Sequence, residues 1–243
     1  MAQVRQITNV LELLEYFRET GQPATMTQLS DHFGWPRSST FNIIDTLTSA
    51  GFLYEPRKRG GFYPTPRWLS LAQDISAAEP LPEALIDLVA QLAAQSGETV
   101  WVATPSGQYA IFLHIVMSRH PIRYMAEAGQ RMPIHATATG EALLSQMSAA
   151  QIATILRRAT YTQFSTGSPL SADEVMRRIT AGRERGWFES SSNYSHDLGG
   201  ISVPLRLNDR NLSITVAGPL FRVVDRKAEI AGMIHDGVAT LLA

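Results

Sequence analysis

The segment MTQLSDHFGWPRSSTFNIIDTLTSAGFL, residues 26–53, decides the fold of the N-terminal part of the chain. Two helix-like stretches flank a tight break at Gly34–Pro36, and Gly51 is placed to end the second stretch. The second stretch has the i, i+3, i+4, i+7 spacing of a helix that buries one face. Its inward residues are Thr40, Ile43, Ile44 and Leu47. The pattern predicts a helix–turn–helix.

The ends of these helices carry polar residues. Thr27 is predicted to cap the first helix, and Ser38 or Ser39 the second, because short polar side chains accept hydrogen bonds from free N–H groups at a helix start. Another helix is predicted upstream, from Asn9 to Thr20, where apolar residues again follow a helical spacing.

A basic hairpin follows the helix–turn–helix. Two strand-like pieces, 52–54 and 62–64, enclose a tip that contains Arg57, Lys58 and Arg59 beside two glycines. This order is typical of a winged helix-turn-helix, which we place at residues 1–64.

Composition excludes several classes of protein. The 243 residues contain no cysteine, which excludes disulfides, Cys-ligated zinc and thiol catalysis. The six histidines lack the spacing of a helical metal site, so no metal or cofactor is expected. No apolar run is long enough for a membrane span and the start lacks a signal-peptide pattern, so we expect a cytoplasmic protein without membrane partners.

The net charge of −1 excludes a uniformly basic coat. Residues 37–67 nevertheless hold five basic side chains against only Asp45 and Glu55. The positive charge therefore coincides with the helix–turn–helix and its hairpin.

A DNA-reading face can be assigned on these elements. Arg37 and the neighbouring serines begin the second helix of the helix–turn–helix, where free N–H groups favour phosphate. Asn42 can pair with adenine and Phe41 can touch a thymine methyl, while the hairpin cations would contact phosphate or the minor groove. The full predicted DNA-binding set is Thr27, Arg37, Ser38, Ser39, Phe41, Asn42, Arg57, Lys58 and Arg59. The alternative is a polar face that is merely solvated.

The rest of the chain predicts a linker, residues 65–79, with a helix at Arg67–Ser76, and a mixed domain at 80–243. Helices are predicted at 82–96, 140–147, 149–159, 172–185 and 225–242, and strands at 99–104, 109–116, 122–125, 200–207 and 212–217. Because strands and helices do not alternate regularly, the predicted class is α+β.

Several motifs together resemble the IclR family of bacterial transcriptional regulators. They are the helix–turn–helix segment quoted above, SGETV at 96–100, GQRMPIHATATGEALL at 129–144, RGW at 185–187, GISVP at 200–204 and VAGP at 216–219. The resemblance spans nearly the whole chain. It implies a winged helix, a linker helix and a GAF-like effector domain, in dimers or dimers of dimers on pseudo-palindromic operator DNA. It also implies control of a catabolic operon, more often by repression, through a small organic or aromatic acid.

The sequence departs from the family pattern at two places. Asn42 stands where a basic residue is usual, and Phe41 where a polar ring or histidine is usual, which puts the operator sequence in doubt. A polar loop at 190–197 replaces a usually acidic stretch, which should favour a carboxylate ligand.

The resemblance also implies an effector pocket. It places Tyr124, Met132, Ala138, Thr139, Ser190, Leu198, Gly200, Thr215 and Ala217 in the lining, and Asn193 is added as a polar side chain that can supply a directional contact. Small residues around Thr139 would leave helix N–H groups open to an anion, although Thr139 can also be a simple helix cap. No catalytic residue is assigned, because no nucleophile elbow, P-loop or dinucleotide fingerprint occurs. Two alternatives stay open: a small-molecule enzyme that dimerises through its N-terminal unit, and an architectural DNA binder without an effector.

Overall fold

The computed structural model describes residues 4–78 and 80–243. The chain forms two compact units, one ending at Pro80 and the other beginning at Leu81. Glu79, the last residue of the predicted linker, lies outside the described residues. Within the described residues, no helix is both long and apolar enough to cross a membrane.

The first unit is a three-helix domain with a hairpin and a further helix. Its elements are α1 (Arg5–Thr20), α2 (Met26–Phe33), α3 (Arg37–Ser49), β1 (Leu53–Tyr54), β2 (Tyr63–Pro64) and α4 (Arg67–Ala78). The predicted stripe of α3 is buried and packs with Leu13, Phe17 and Leu29 in one apolar core. Burial of this stripe holds α3 with its opposite face exposed.

The structure corrects the predicted helix starts. Thr25, not Thr27, caps α2: its Oγ1 accepts from the Gln28 N–H at 3.3 Å, and its own N–H donates to Gln28 Oε1 at 2.8 Å. This reciprocal capping box satisfies two free donors at once, which a cap at Thr27 would not. At α3 the N-cap is Pro36 and no side chain caps the helix, so Ser38 and Ser39 lie in its first turn.

The second unit is a six-stranded antiparallel sheet with helices on both faces. Its elements are α5 (Glu83–Ser96), β3 (Thr99–Ser106), β4 (Tyr109–Val116), β5 (Arg131–Pro133), α6 (Ala138–Leu144), α7 (Ala149–Arg158), α8 (Ala172–Arg185), β6 (Phe188–Ser191), β7 (Leu198–Leu207), β8 (Arg210–Pro219), α9 (Leu220–Val223) and α10 (Lys227–Leu242), with a 3₁₀ turn at Val224–Arg226. The strand order is β5-β4-β3-β8-β7-β6. The predicted α+β class is confirmed.

Alternation along the strands divides the core in two. On β3, Val100 and Val102 face the cluster formed with α5 and α10, whereas Trp101 and Ala103 face the cluster formed with α6, α7 and α8. Successive strand residues point to opposite faces of a sheet, so a strand buried on both sides supplies two cores.

One predicted strand is wrong, and two observed strands were missed. The predicted strand 122–125 is a loop, held by the Thr99 Oγ1 bond to the Tyr124 carbonyl at 2.8 Å and the Arg222 bond to the Ile122 carbonyl at 2.8 Å. The side chains of Thr99 and Arg222 thus donate to carbonyls that would accept from a neighbouring strand if the segment were part of the sheet. Strands β5 and β6 were not predicted; β5 pairs with β4, and β6 pairs with β7 from Phe188 opposite Ser202 onward.

Candidate functional site

The exposed face of α3 carries the predicted DNA-reading residues. Arg37, Ser38 and Asn42 are exposed, and Ser39 is half-buried. Phe41 is 51% exposed. Thr27, in the first turn of α2, is also exposed. The helix thus presents donors, an amide and an aromatic ring to the outside.

The hairpin tip is exposed and has a defined backbone. Arg57, Lys58 and Arg59 all point into solvent. The Arg59 N–H donates to Glu55 Oε1 at 2.6 Å, and Arg59 adopts a positive φ of 61°. Because the bond to Glu55 uses the backbone, the Arg59 guanidinium is not engaged in it.

A glycine sets the base of the hairpin. A Cβ at Gly61 would lie 2.5 Å from the carbonyl carbon of Ala24, and Gly61 has a φ of 89°. Ala24 and Phe62 form an isolated antiparallel bridge next to this contact. The close backbone approach therefore ties the hairpin to the segment before α2.

A buried pocket lies on the sheet face that packs against α6. It is lined by Trp101, Phe112, Tyr124, Met132, Thr137, Ala138, Thr139, Ser190, Tyr194, Leu198, Gly200, Thr215 and Ala217. Of the ten predicted effector residues, all except Asn193 belong to this lining. The residues that sequence reasoning missed are Trp101, Phe112, Thr137 and Tyr194.

Asn193 belongs to the loop beside the pocket and not to its wall. Its Oδ1 accepts from the Ser191 N–H at 3.1 Å, and its carbonyl accepts from Ser168 Oγ at 2.6 Å. An asparagine in a turn commonly bonds to nearby backbone. Asn193 therefore shapes the loop that carries Tyr194.

The pocket is lined by aromatic rings and has little free space. Trp101 stacks on Phe112 with ring centroids 4.7 Å apart, and Tyr124 lies 5.5 Å from Trp101. The free volume is about 30 Å³, room for one or two water molecules. A ring-sized ligand would require side chains to move, and Met132 is suited to this because its unbranched thioether repacks easily.

Several polar groups in the pocket are already engaged. Thr137, and not Thr139, caps α6, since its Oγ1 accepts from the Gly140 N–H at 3.1 Å. One N–H expected to meet an anion is thus taken. Thr139 Oγ1 lies 2.8 Å from Thr215 Oγ1. The Tyr124 hydroxyl accepts from Gln130 Nε2 at 3.3 Å, and burial raises the pKa of Tyr124.

Two buried ionisable groups flank the lining. Both ring nitrogens of His135 and Oε1 of Glu141 have no hydrogen-bond partner among the described residues. Burial lowers the pKa of His135 and raises the pKa of Glu141 to about 8, although Arg178 partly offsets the second shift. In the described part of the chain, no three His, Cys, Asp or Glu side chains gather to hold a metal.

Glu141→Gln is expected to stabilise the protein at neutral pH. The carboxyl has an ordinary pKa of 4.5 and a folded pKa of about 8, so between these values folding requires proton uptake. The stability is fully present below pH 4.5 and falls as pH rises to 8, by about 1.4 kcal/mol per pH unit. The variant should therefore exceed the wild type by roughly 3 kcal/mol at pH 7.

Urea unfolding from pH 5 to 8 measures this difference. Glu184→Gln, at an exposed position of α8, is the control and should leave the pH slope unchanged. Parallel pH curves for Glu141→Gln and the wild type would contradict the prediction.

These features define a class: a winged helix-turn-helix domain joined to an α+β domain that contains a pocket lined by aromatic rings. The family model "Bacterial transcriptional regulator IclR C-terminal" matches residues 80–241, and "IclR helix-turn-helix domain" matches residues 6–57. The chain belongs to the IclR family of bacterial transcriptional regulators, as the sequence resemblance predicted. It is a DNA-binding regulator and not an enzyme.

Relatives and solved structures agree with this assignment. The transcriptional repressor IclR of Escherichia coli is 27% identical over 242 residues, covering 96% of this chain and 86% of that protein. The repressor AllR of the same species is 23% identical over 236 residues, covering 93% and 84%. The Thermotoga maritima IclR structure superposes with a TM-score of 0.80 at 13% identity, covering 98% and 97%. An IclR homolog from Microbacterium hydrocarbonoxydans, solved with 4-hydroxybenzoate, gives 0.73 at 19% identity, covering 97% and 99%.

Proposed function

We propose that the protein is a cytoplasmic repressor of a catabolic operon that responds to a small organic acid, of the aromatic carboxylic class, bound in the pocket of the second unit. The observation that carries this proposal is the Trp101–Phe112 stack beside Tyr124, which offers flat apolar surfaces to a ring. The named repressor function of two relatives and the 4-hydroxybenzoate in one solved relative support it.

We further propose that the protein acts as a homodimer or a dimer of dimers on operator DNA. Two-fold symmetry in the protein matches a pseudo-palindromic site, and a single small head with few cations gives limited affinity alone. Ligand binding changes the affinity for DNA, and by linkage DNA changes the affinity for ligand by the same factor.

A mobility-shift titration with DNA from upstream of the protein's own gene tests this function. We expect a sequence-selective shift that weakens steeply with salt and that changes on addition of an aromatic acid found by thermal-shift screening. A shift that no acid changes, together with a flat thermal response, would favour an architectural binder. Turnover of a ligand by the purified protein would contradict a purely regulatory role.

Arg59→Ala and Asn42→Ala are expected to weaken DNA binding in different ways. Arg59→Ala should lower affinity for every sequence and reduce the salt slope by about 1, because a phosphate contact carries no sequence information. Asn42→Ala should relax preference at one base pair, with a loss of about 1–3 kcal/mol for the preferred base.

Competition binding against operators changed at single positions separates these effects. Arg206→Ala, which removes an exposed arginine from the second unit, is the charge-matched control and should bind like the wild type. Equal loss of affinity and of base preference in both variants would argue against the assigned roles.

A further inference from the structure

A hydrogen-bonded chain of four side chains forms the floor of the pocket. Trp101 Nε1 donates to Thr139 Oγ1 at 3.2 Å, and Thr139 Oγ1 lies 2.8 Å from Thr215 Oγ1. Thr215 donates to Ser202 Oγ at 2.9 Å, and Ser202 donates to the Ile214 carbonyl at 3.3 Å. All four side chains are at least 95% buried.

The Ile214 carbonyl, which accepts the last of these hydrogen bonds, fixes the direction of all the others. A carbonyl oxygen only accepts, so the one proton of Ser202 is committed to Ile214. Thr215 must then give its proton to Ser202, and Thr139 must give its proton to Thr215. Each threonine hydroxyl has accepted one bond and retains one lone pair. The floor therefore presents acceptors and no free donor.

This polarity selects the ligand group that the floor can take. A carboxylate there would face lone pairs in an apolar cavity without a compensating donor, which is costly. A neutral hydroxyl or amino group would donate to Thr139 or Thr215. Elsewhere in the lining, the hydroxyls of Ser190 and Tyr194 can donate to a carboxylate.

We propose that the effector carries, besides its acid group, a separate neutral hydrogen-bond donor that binds the Thr139–Thr215 pair, and that Ser202 sets this specificity from behind the pocket wall. The proposal rests on the pocket being the effector site. Ser202 lies opposite Thr215 in the β7–β8 register and is absent from the lining, so it is a positioning residue.

The test compares ligands matched in size on the full-length protein. Calorimetric titrations use the three hydroxybenzoates and the three corresponding fluorobenzoates, since fluorine keeps the ring and acid but removes the donor. For the wild type we expect at least one hydroxybenzoate to bind about tenfold more tightly than its fluoro partner, the value of one hydrogen bond. Ratios within twofold for all three pairs, or no binding of any probe, would overturn the proposal.

Ser202→Ala provides the decisive variant. Without Ser202 Oγ, the Thr215 proton is released and the floor gains a donor, so the hydroxy-to-fluoro ratio should fall below about threefold while the acid itself still binds. Ser213→Ala is the matched control, because Ser213 lies on β8 two residues from Thr215, is fully buried, and its hydroxyl has no partner among the described residues. That variant should keep the wild-type ratio.

A second variant covers the case in which Ser202→Ala does not fold, as judged by thermal unfolding. Thr215→Val keeps the side-chain shape and removes the acceptor, so it should also abolish the preference for the hydroxy ligand. A wild-type ratio in either folded variant would overturn the proposal. A clear hydroxy preference that leaves DNA binding unchanged would instead contradict the proposed function and leave the assignment of the floor intact.

Discussion

Replacing Gly140 by alanine is expected to destabilise the second unit by about 3 kcal/mol or more. A Cβ at this position would overlap the backbone carbonyl of Ile134 and lie 2.6 Å from the Ile134 Cα. Because the obstacle is backbone, no side-chain rotation relieves it, and α6 must move away from the segment that leads into it. That movement displaces Ala138 and Thr139, so ligand binding should be lost together with stability.

Gly232→Ala is the matched control for this prediction. Gly232 lies in α10, and a Cβ there would meet nothing within 4 Å. Since alanine is the better helix former, this change should stabilise the protein by about 0.5–1 kcal/mol. Urea unfolding followed by circular dichroism measures both variants. Equal stability of the two variants would contradict the prediction, because it would show that α6 can accommodate a Cβ at position 140.

Arg222→Met is expected to cost about 3 kcal/mol, because it leaves a buried carboxylate without its partner. Glu98 is 1% exposed, and both of its oxygens accept from Arg222, one of them at 2.9 Å from Nη2. The same guanidinium bonds to the Ile122 carbonyl at 2.8 Å. The pair therefore joins the start of β3, the loop before β5 and α9.

Two comparisons isolate the contribution of the charge. In Glu98→Gln combined with Arg222→Met, the charge is removed with its partner, so part of the stability should return. Arg206→Met, which breaks an exposed pair with Asp209, should change stability by less than about 0.5 kcal/mol. If Arg222→Met and Arg206→Met unfold at the same urea concentration, the buried pair does not have the assigned role.

Local patterns predicted the helices well and their caps less well. The buried stripe of α3 is confirmed because its spacing depends only on neighbours three and four residues apart. The true cap of α2 was also visible in the sequence, since Thr25 and Gln28 have capping-box spacing. By contrast, the β-like composition of residues 122–125 was misleading: Ile122 and Met125 are 68% and 59% exposed, and no strand pairs with this segment.

The family motifs predicted most of the pocket lining. The lining residues that were missed share a physical reason. Trp101 and Phe112 sit on strands whose composition indicates ordinary core, and only their position opposite α6 makes them part of a wall. Asn193 was assigned to the pocket as one of the side chains that could make a directional polar contact. Its side chain turns to Ser191 instead, a choice that depends on the path of the loop.

The sequence by itself determined the winged helix-turn-helix, the α+β class, the family and the concentration of positive charge, because these depend on local spacing and on motifs read in order along the chain. Only the tertiary structure decided the chemistry of the pocket floor. Three strands and a helix supply its side chains, which are Trp101, Thr139, Ser202 and Thr215. The direction of each hydrogen bond between them follows from the carbonyl that accepts the last one. No local pattern encodes that direction, because it depends on contacts between residues far apart in sequence.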